Sequence, residues 1–139
     1  VLDGAAVKGR KPATLPASAA AVAEVPRPPV LLSKDARAEW KRAAAVLVER
    51  KILTPADYET LASYCIAIGM RNDALHTLAK DGATFVTPAG MVKRHPAVGN
   101  LNDAIALAAR LAAELGLTPV SRSRVIAHED GGDDLDFLD

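Results

Sequence analysis

The sequence predicts a mainly α protein with three principal helices, a short C-terminal helix and one small β-hairpin between the second and third helices. Three observations carry that reading. Apolar residues recur every three or four positions through three long stretches. Helix punctuation falls at their ends, as Ser33, Thr54-Pro55, His95-Pro96, Gly116 and Thr118-Pro119. Apolar residues make up 50% of the 139-residue chain while aromatics make up only 4%. Alanine therefore supplies much of the apolar surface, which favours thin, closely packed helices over an aromatic-rich sandwich. Such helices bury little area each, so partner subunits are expected to complete part of the core.

The elements follow in order. Residues 1–29 contain five of the nine prolines. Proline removes backbone donors and fixes φ, so this segment is expected to be a flexible or extended Pro/Ala-rich arm. Lys8, Arg10 and Lys11 make it slightly basic, which suits either a linker or an arm touching DNA phosphates. Ser33 is the expected N-cap of a helix reaching about residue 50. Its apolar face is Ala36, Trp40, Ala43, Ala44 and Leu47, with Trp40 as the core anchor.

Thr54-Pro55-Ala56-Asp57 is the second helix start: a cap, a proline at the first helical position and an acid at the positive end. The helix presents Tyr58, Leu61, Cys65, Ile68, Leu75 and Leu78 and is expected to run to Lys80, with a bend near Gly69. A hairpin over residues 83–94 follows, with Thr84 to Val86 and Met91-Val92 flanking the turn at Gly90. His95-Pro96 opens the third helix. Its stripe is Val98, Leu101, Ile105, Ala108, Leu111, Ala112 and Leu115, and Gly116 stops it. Thr118-Pro119 starts a short helix over residues 119–126. Residues 129–139 form an acidic tail expected to be disordered. The body, residues 30–128, is thus one helical domain.

No pattern in the chain points to catalysis. There is no Walker-type loop and no GxGxxG. His76, His95 and His128 fall in different elements, and no cysteine accompanies them at zinc spacing. Asp133, Asp134 and Asp136 lack the glycine and terminal glutamate of an EF-hand loop. Cys65, the single cysteine, is expected to be a buried small hydrophobe. No enzyme activity, cofactor or metal is expected. There is no run of 18 apolar residues and no signal-peptide pattern, so no membrane partner is expected.

The zero net charge hides a strong asymmetry. Residues 30–128 carry thirteen Lys/Arg against nine acids, and residues 129–139 carry six acids and no cation. A basic body suits a polyanion such as double-stranded DNA. The candidate phosphate contacts are Lys34, Arg37, Lys41, Arg42, Arg50 and Lys51, joined by Lys93 and Arg94 at the base of the hairpin. In the tail, Leu135, Phe137 and Leu138 alternate with acids. A purely solubilising tail needs no apolar residues, so docking on a partner, masking of a basic site and a bland tail all stay open. Arg122 and Arg124 mark the junction between body and tail and join the candidate partner-binding set. Residues 33–68 also admit a second reading, a helix-turn-helix transcriptional regulator with a short link at Lys51 to Leu53.

The ordered set of motifs resembles the P27 family of phage terminase small subunits, the group that includes the small terminase of HK97-like phages. The matching pieces are Trp40, then Leu53-Thr54 with Asp57, then Leu61 to Tyr64-Cys65, Gly82, Gly90 and His95-Pro96, where the family usually has Asn-Pro. The most specific piece is Glu114-Leu-Gly-Leu-Thr-Pro-Val-Ser-Arg-Ser-Arg124. The resemblance implies a non-catalytic subunit in the cytoplasm of a bacterial host. It implies a homo-oligomeric ring of about eight to ten copies that binds viral or prophage DNA. It also implies a large terminase subunit, with the ATPase and nuclease, as partner. The expected ring contacts are the helices over 54–80 and 97–115, and the expected motor contact is the acidic tail.

Overall fold

The computed structural model describes residues 20–119 and 121. Three α-helices and one hairpin make the body: α1 (Lys34–Glu49), α2 (Tyr58–Asp81), β1 (Thr84–Val86), β2 (Val92–Arg94) and α3 (Pro96–Leu115), with a 3-10 turn (Pro55–Asp57) leading into α2. The mainly α reading with one hairpin between the second and third helices holds. The expectations for residues 1–19, including Lys8, Arg10 and Lys11, and for residues 122–139, including Arg122, Arg124, Leu135, Phe137 and Leu138, lie outside the described residues. So does most of the short helix over 119–126, although the chain is helical at Pro119 and Ser121.

Local chemistry sets the helix ends. Ser33 is the α1 N-cap, its hydroxyl accepting from the Ala36 N–H at 3.3 Å. Thr54 starts the next element reciprocally: the Asp57 carboxylate accepts from the Thr54 N–H at 2.9 Å and from its hydroxyl at 3.0 Å. His95 caps α3 through Nδ1, which accepts from the Ala97 N–H at 3.0 Å. An acceptor Nδ1 leaves the proton on Nε2, which sits 3.2 Å from Asp81 Oδ2. One imidazole therefore does the work of the usual asparagine cap and also ties the end of α2 to the start of α3. Gly116 ends α3 in the left-handed conformation.

α2 is the spine, packing against both α1 and α3. Its 24 residues span about 36 Å, while α1 has 16. α1 therefore covers only the first part of α2. Ser33 and Ala36 lie against Gly69, and Asn72 donates to Asp35 at 3.3 Å. Leu75 lies beyond that level and is 46% exposed, with Ala74 buried in its place. The expected core role of Leu75 fails because periodicity gives a face but not the length of the neighbour. Ile105 on α3 is likewise exposed, and Ala104 is buried. α2 is helical through Gly69, where Ser33 and Ala36 at the start of α1 lie against it.

The core joins Trp40, Ala43, Ala44 and Leu47 of α1 to Leu53, to Leu61, Tyr64, Cys65 and Ile68 of α2, and to Ala108, Leu111 and Leu115 of α3. Trp40 meets Tyr58 edge-on at 6.2 Å, and its indole N–H donates to the Pro26 carbonyl at 2.8 Å. Val22 donates to the Leu53 carbonyl at 2.8 Å. Residues 20–29 are thus extended, as their prolines dictate, but held on the body by Trp40 and Leu53. Val22 and Pro26 thus already contact the body before residue 30.

Candidate nucleic-acid interface

All eight basic residues predicted to meet DNA are exposed, but they divide into two kinds. Three arginines have structural partners. Arg37 donates to the Val30 carbonyl at 3.2 Å and to the Leu32 carbonyl at 3.4 Å. Arg42 pairs with Glu39 and donates to the Tyr64 hydroxyl at 3.4 Å. Arg50 donates to the Gly116 carbonyl at 3.0 Å and ties the end of α1 to the end of α3. A rigid guanidinium fork reaches backbone carbonyls that a lysine cannot grip as well. The side chains of Lys34, Lys41, Lys51, Lys93 and Arg94 have no hydrogen-bond or ion-pair partner among the described residues. They are the cations left for an outside anion.

The fold spreads these five along the molecule. Lys34 and Lys41 stand two turns apart on α1, about 10 Å along its axis. Lys51 follows α1 at the α1–α2 link. Lys93 and Arg94 lie on β2, at the other end of α2, and alternate faces of the hairpin. Lys80, exposed in the last turn of α2, is a cation near that end which sequence reading passed over. Its only sequence mark was the ordinary preference for a base at a helix C-terminus.

Beside the lysines lies a closed polar network. The Tyr64 hydroxyl donates to Glu39 Oε1 at 2.7 Å, and the same carboxylate takes Arg42. Burial pushes the Glu39 carboxyl up, but the hydrogen bonds from Arg42 and Tyr64 and the nearby positive charges outweigh it and hold it below the usual carboxylate range. The Tyr64 hydroxyl is pushed up to about 12 by burial and by the Glu39 charge. Burial similarly pushes the Cys65 thiol to about 12, which makes it an unreactive packing group. The network buttresses α1 against α2.

The exposed face of α2 carries Glu59, Ser63, Ile66 and Met70. Up to Met70 this face holds no cation, which disfavours base reading by the start of α2, and Lys80 is exposed only in the last turn. Several other large apolar side chains are exposed: Leu75 on α2, Phe85, Val86, Met91 and Val92 in and beside the hairpin, and Ile105 and Leu107 on α3.

What these features define is a small helical subunit whose chemistry lies in exposed cations and apolar faces. Among the described residues no group of three or more His, Cys, Asp or Glu could hold a metal ion, and no helix is long and apolar enough to cross a membrane. A family model described as phage terminase, small subunit, matches residues 36–131. The chain belongs to that family. The matched span contains nearly all of α1, the whole of α2, the hairpin and α3, and Glu114 to Arg124. No curated protein and no solved structure matches the chain.

Proposed function

We propose that this chain is the DNA-binding, ring-forming small subunit of a packaging motor in the bacterial cytoplasm, of the HK97-like kind, and that it recruits or regulates a large terminase ATPase/nuclease. Its membership of the phage terminase small-subunit family carries the proposal. The geometry supports it through five exposed cations without internal partners. Exposed apolar residues on α2, the hairpin and α3 support an assembly that covers them. On α3 the exposed side opposite the core carries Ala106, Ala109 and Ala113, which allows a neighbouring helix to approach closely.

In this reading Lys34, Lys41, Lys51, Lys93 and Arg94 contact phosphates directly. Arg37, Arg42 and Arg50 shape the surface and add field strength. Phosphate contacts of this kind position a protein on DNA without reading sequence. The acidic, apolar-studded tail engages the large subunit, with Arg122 and Arg124 at its root.

Reversing the charge of Lys41, Lys51, Lys93 and Arg94 together tests the surface. We expect a large loss of duplex affinity in a gel-shift or anisotropy titration, with the fold unchanged by circular dichroism. Unchanged affinity refutes this surface. Native mass spectrometry showing monomer alone at working concentration refutes the ring. Undiminished large-subunit binding after removal of residues 129–139 refutes tail docking.

A further inference from the structure

Two features at opposite ends of α1 have no role in the account so far. One is a turn. Leu32 N–H donates to the Pro29 carbonyl at 3.3 Å, closing a turn with Val30 and Leu31 at its tip. These two side chains are 87% and 98% exposed, the most exposed of the large apolar side chains described. Arg37 holds the carbonyls on either side of Leu31, and Leu32 is buried. The tip is therefore held outward rather than left to collapse on the body, at the full cost of two hydrated aliphatic side chains.

The other is a cavity of about 330 Å³ beyond the C-terminal end of α1, lined by Leu47, Ile52, Leu53, Leu115 and Gly116, with Asp57 and Glu114 among its polar walls. It is open on one side, its floor is apolar and its walls polar, and its volume leaves room for two branched aliphatic side chains. The 16 residues of α1, about 24 Å of helix, stand between this cavity and the turn. A chain cannot fill its own cavity with its own turn.

Resting on the ring reading above, the geometry points to a knob-into-hole contact between copies: Val30 and Leu31 of one copy enter the cavity at the α1–α2 link of the next. Charge supports the same pairing. Arg27, Lys34 and Arg37 surround the turn, with Asp35 tied to Asn72. The charged residues lining the cavity are both acids, Asp57 and Glu114, and the nearby Arg50 is already bound to Gly116. A basic knob thus faces a mainly acidic hole. Knob and hole are different patches, so the contact is head-to-tail, the type that closes into a ring when the rotation per copy allows.

The test uses the full chain and two variants. Val30→Ser with Leu31→Ser leaves the core untouched, so the thermal melt of the dissociated chain should not move. The concentration needed for assembly should rise by more than about tenfold, read by mass photometry. Leu31→Cys with Glu114→Cys should give disulfide-linked multimers under mild oxidation, while either change alone gives none; the native Cys65 is fully buried and stays silent. A wild-type chain that assembles, with a serine variant that assembles equally well and no cross-link, overturns the knob-into-hole contact and leaves the ring standing. A wild-type chain that is monomeric overturns both. Glu114→Cys that reacts with a thiol reagent only after residues 122–139 are removed shows the chain's own C-terminal segment in the cavity, and this too overturns the contact.

Discussion

Gly69 decides how closely α1 and α2 approach, and it does so by lacking a Cβ. A Cβ there would stand 2.9 Å from Ser33 Oγ and 3.3 Å from Ala36 Cβ. Helix propensity alone favours Gly69→Ala by about 1 kcal/mol. Against this stand the overpacking cost, about 1–3 kcal/mol, and the Ser33 cap, worth about 1 kcal/mol, which must rotate away. Net destabilisation of about 1–3 kcal/mol is expected in urea, and a smaller loss when Ser33→Ala has already removed the clashing hydroxyl. Lys51 poses the opposite case. Its φ is 60°, the one left-handed non-glycine among the described residues. That conformation costs about 1–2 kcal/mol, less the extra freedom glycine has when unfolded, so Lys51→Gly should raise stability by roughly 0.5 kcal/mol in the same assay. Glu39 gives a pH test. Its carboxyl is held below its ordinary value of about 4.3, so its contribution is present above that pH and lost as pH falls through the lower, folded value. Stability should therefore drop on acidification below about pH 4, and Glu39→Gln should flatten that part of the profile. An unchanged acid limb in the variant means the network with Arg42 and Tyr64 contributes nothing.

Elements differ in how far the sequence exposes them. Ser33, Thr54-Pro55, His95-Pro96 and Gly116 mark helix ends, and all four fall where their local chemistry puts them, because a cap acts within three residues. Ala36, Trp40, Ala43, Ala44 and Leu47 are equally legible, since α1 is covered along its length. Leu75 and Ile105 are not, because their burial depends on where a neighbouring helix stops. The division of the candidate DNA cations was hidden for a related reason. Arg37, Arg42 and Arg50 look like Lys34 and Lys41 in sequence, and only their carbonyl and carboxylate partners separate them. The hairpin was legible from its turn, and so was its need for a partner surface, because two strands of three residues cannot bury a face of their own. All six strand residues are exposed, and Val86 and Val92, directly paired, are 66% and 68% exposed. Two strands alone are marginal. Amides of Thr84 to Arg94 should exchange fast in dissociated chains and become protected on assembly. Val86→Ser with Val92→Ser should leave the monomer melt unmoved. A hairpin protected in the monomer would show that its stability is internal.

Across the whole molecule, charge is sorted along the chain rather than balanced locally. The zero net charge combines a basic body with a strongly acidic end, so bulk electrostatics predicts little and local contacts must be counted. Lys41 and Lys93 suit that count. Both are exposed and have no partner among the described residues, so Lys41→Gln and Lys93→Gln should leave stability within about 0.5 kcal/mol of the parent. Their effect should appear in DNA binding instead. Each phosphate contact contributes about 0.9 to the slope of log affinity against log salt, because binding releases a condensed counterion. In a ring only some copies face the duplex, so the loss of slope per substitution, divided by about 0.9, counts the copies whose lysine meets a phosphate. Titrations from low to moderate salt should give, for each lysine, a slope loss that is a whole multiple of about 0.9, with the two losses adding in the double variant. A slope that does not change while affinity falls would place the lysines outside the phosphate contact. It would shift the DNA-binding role to the three anchored arginines.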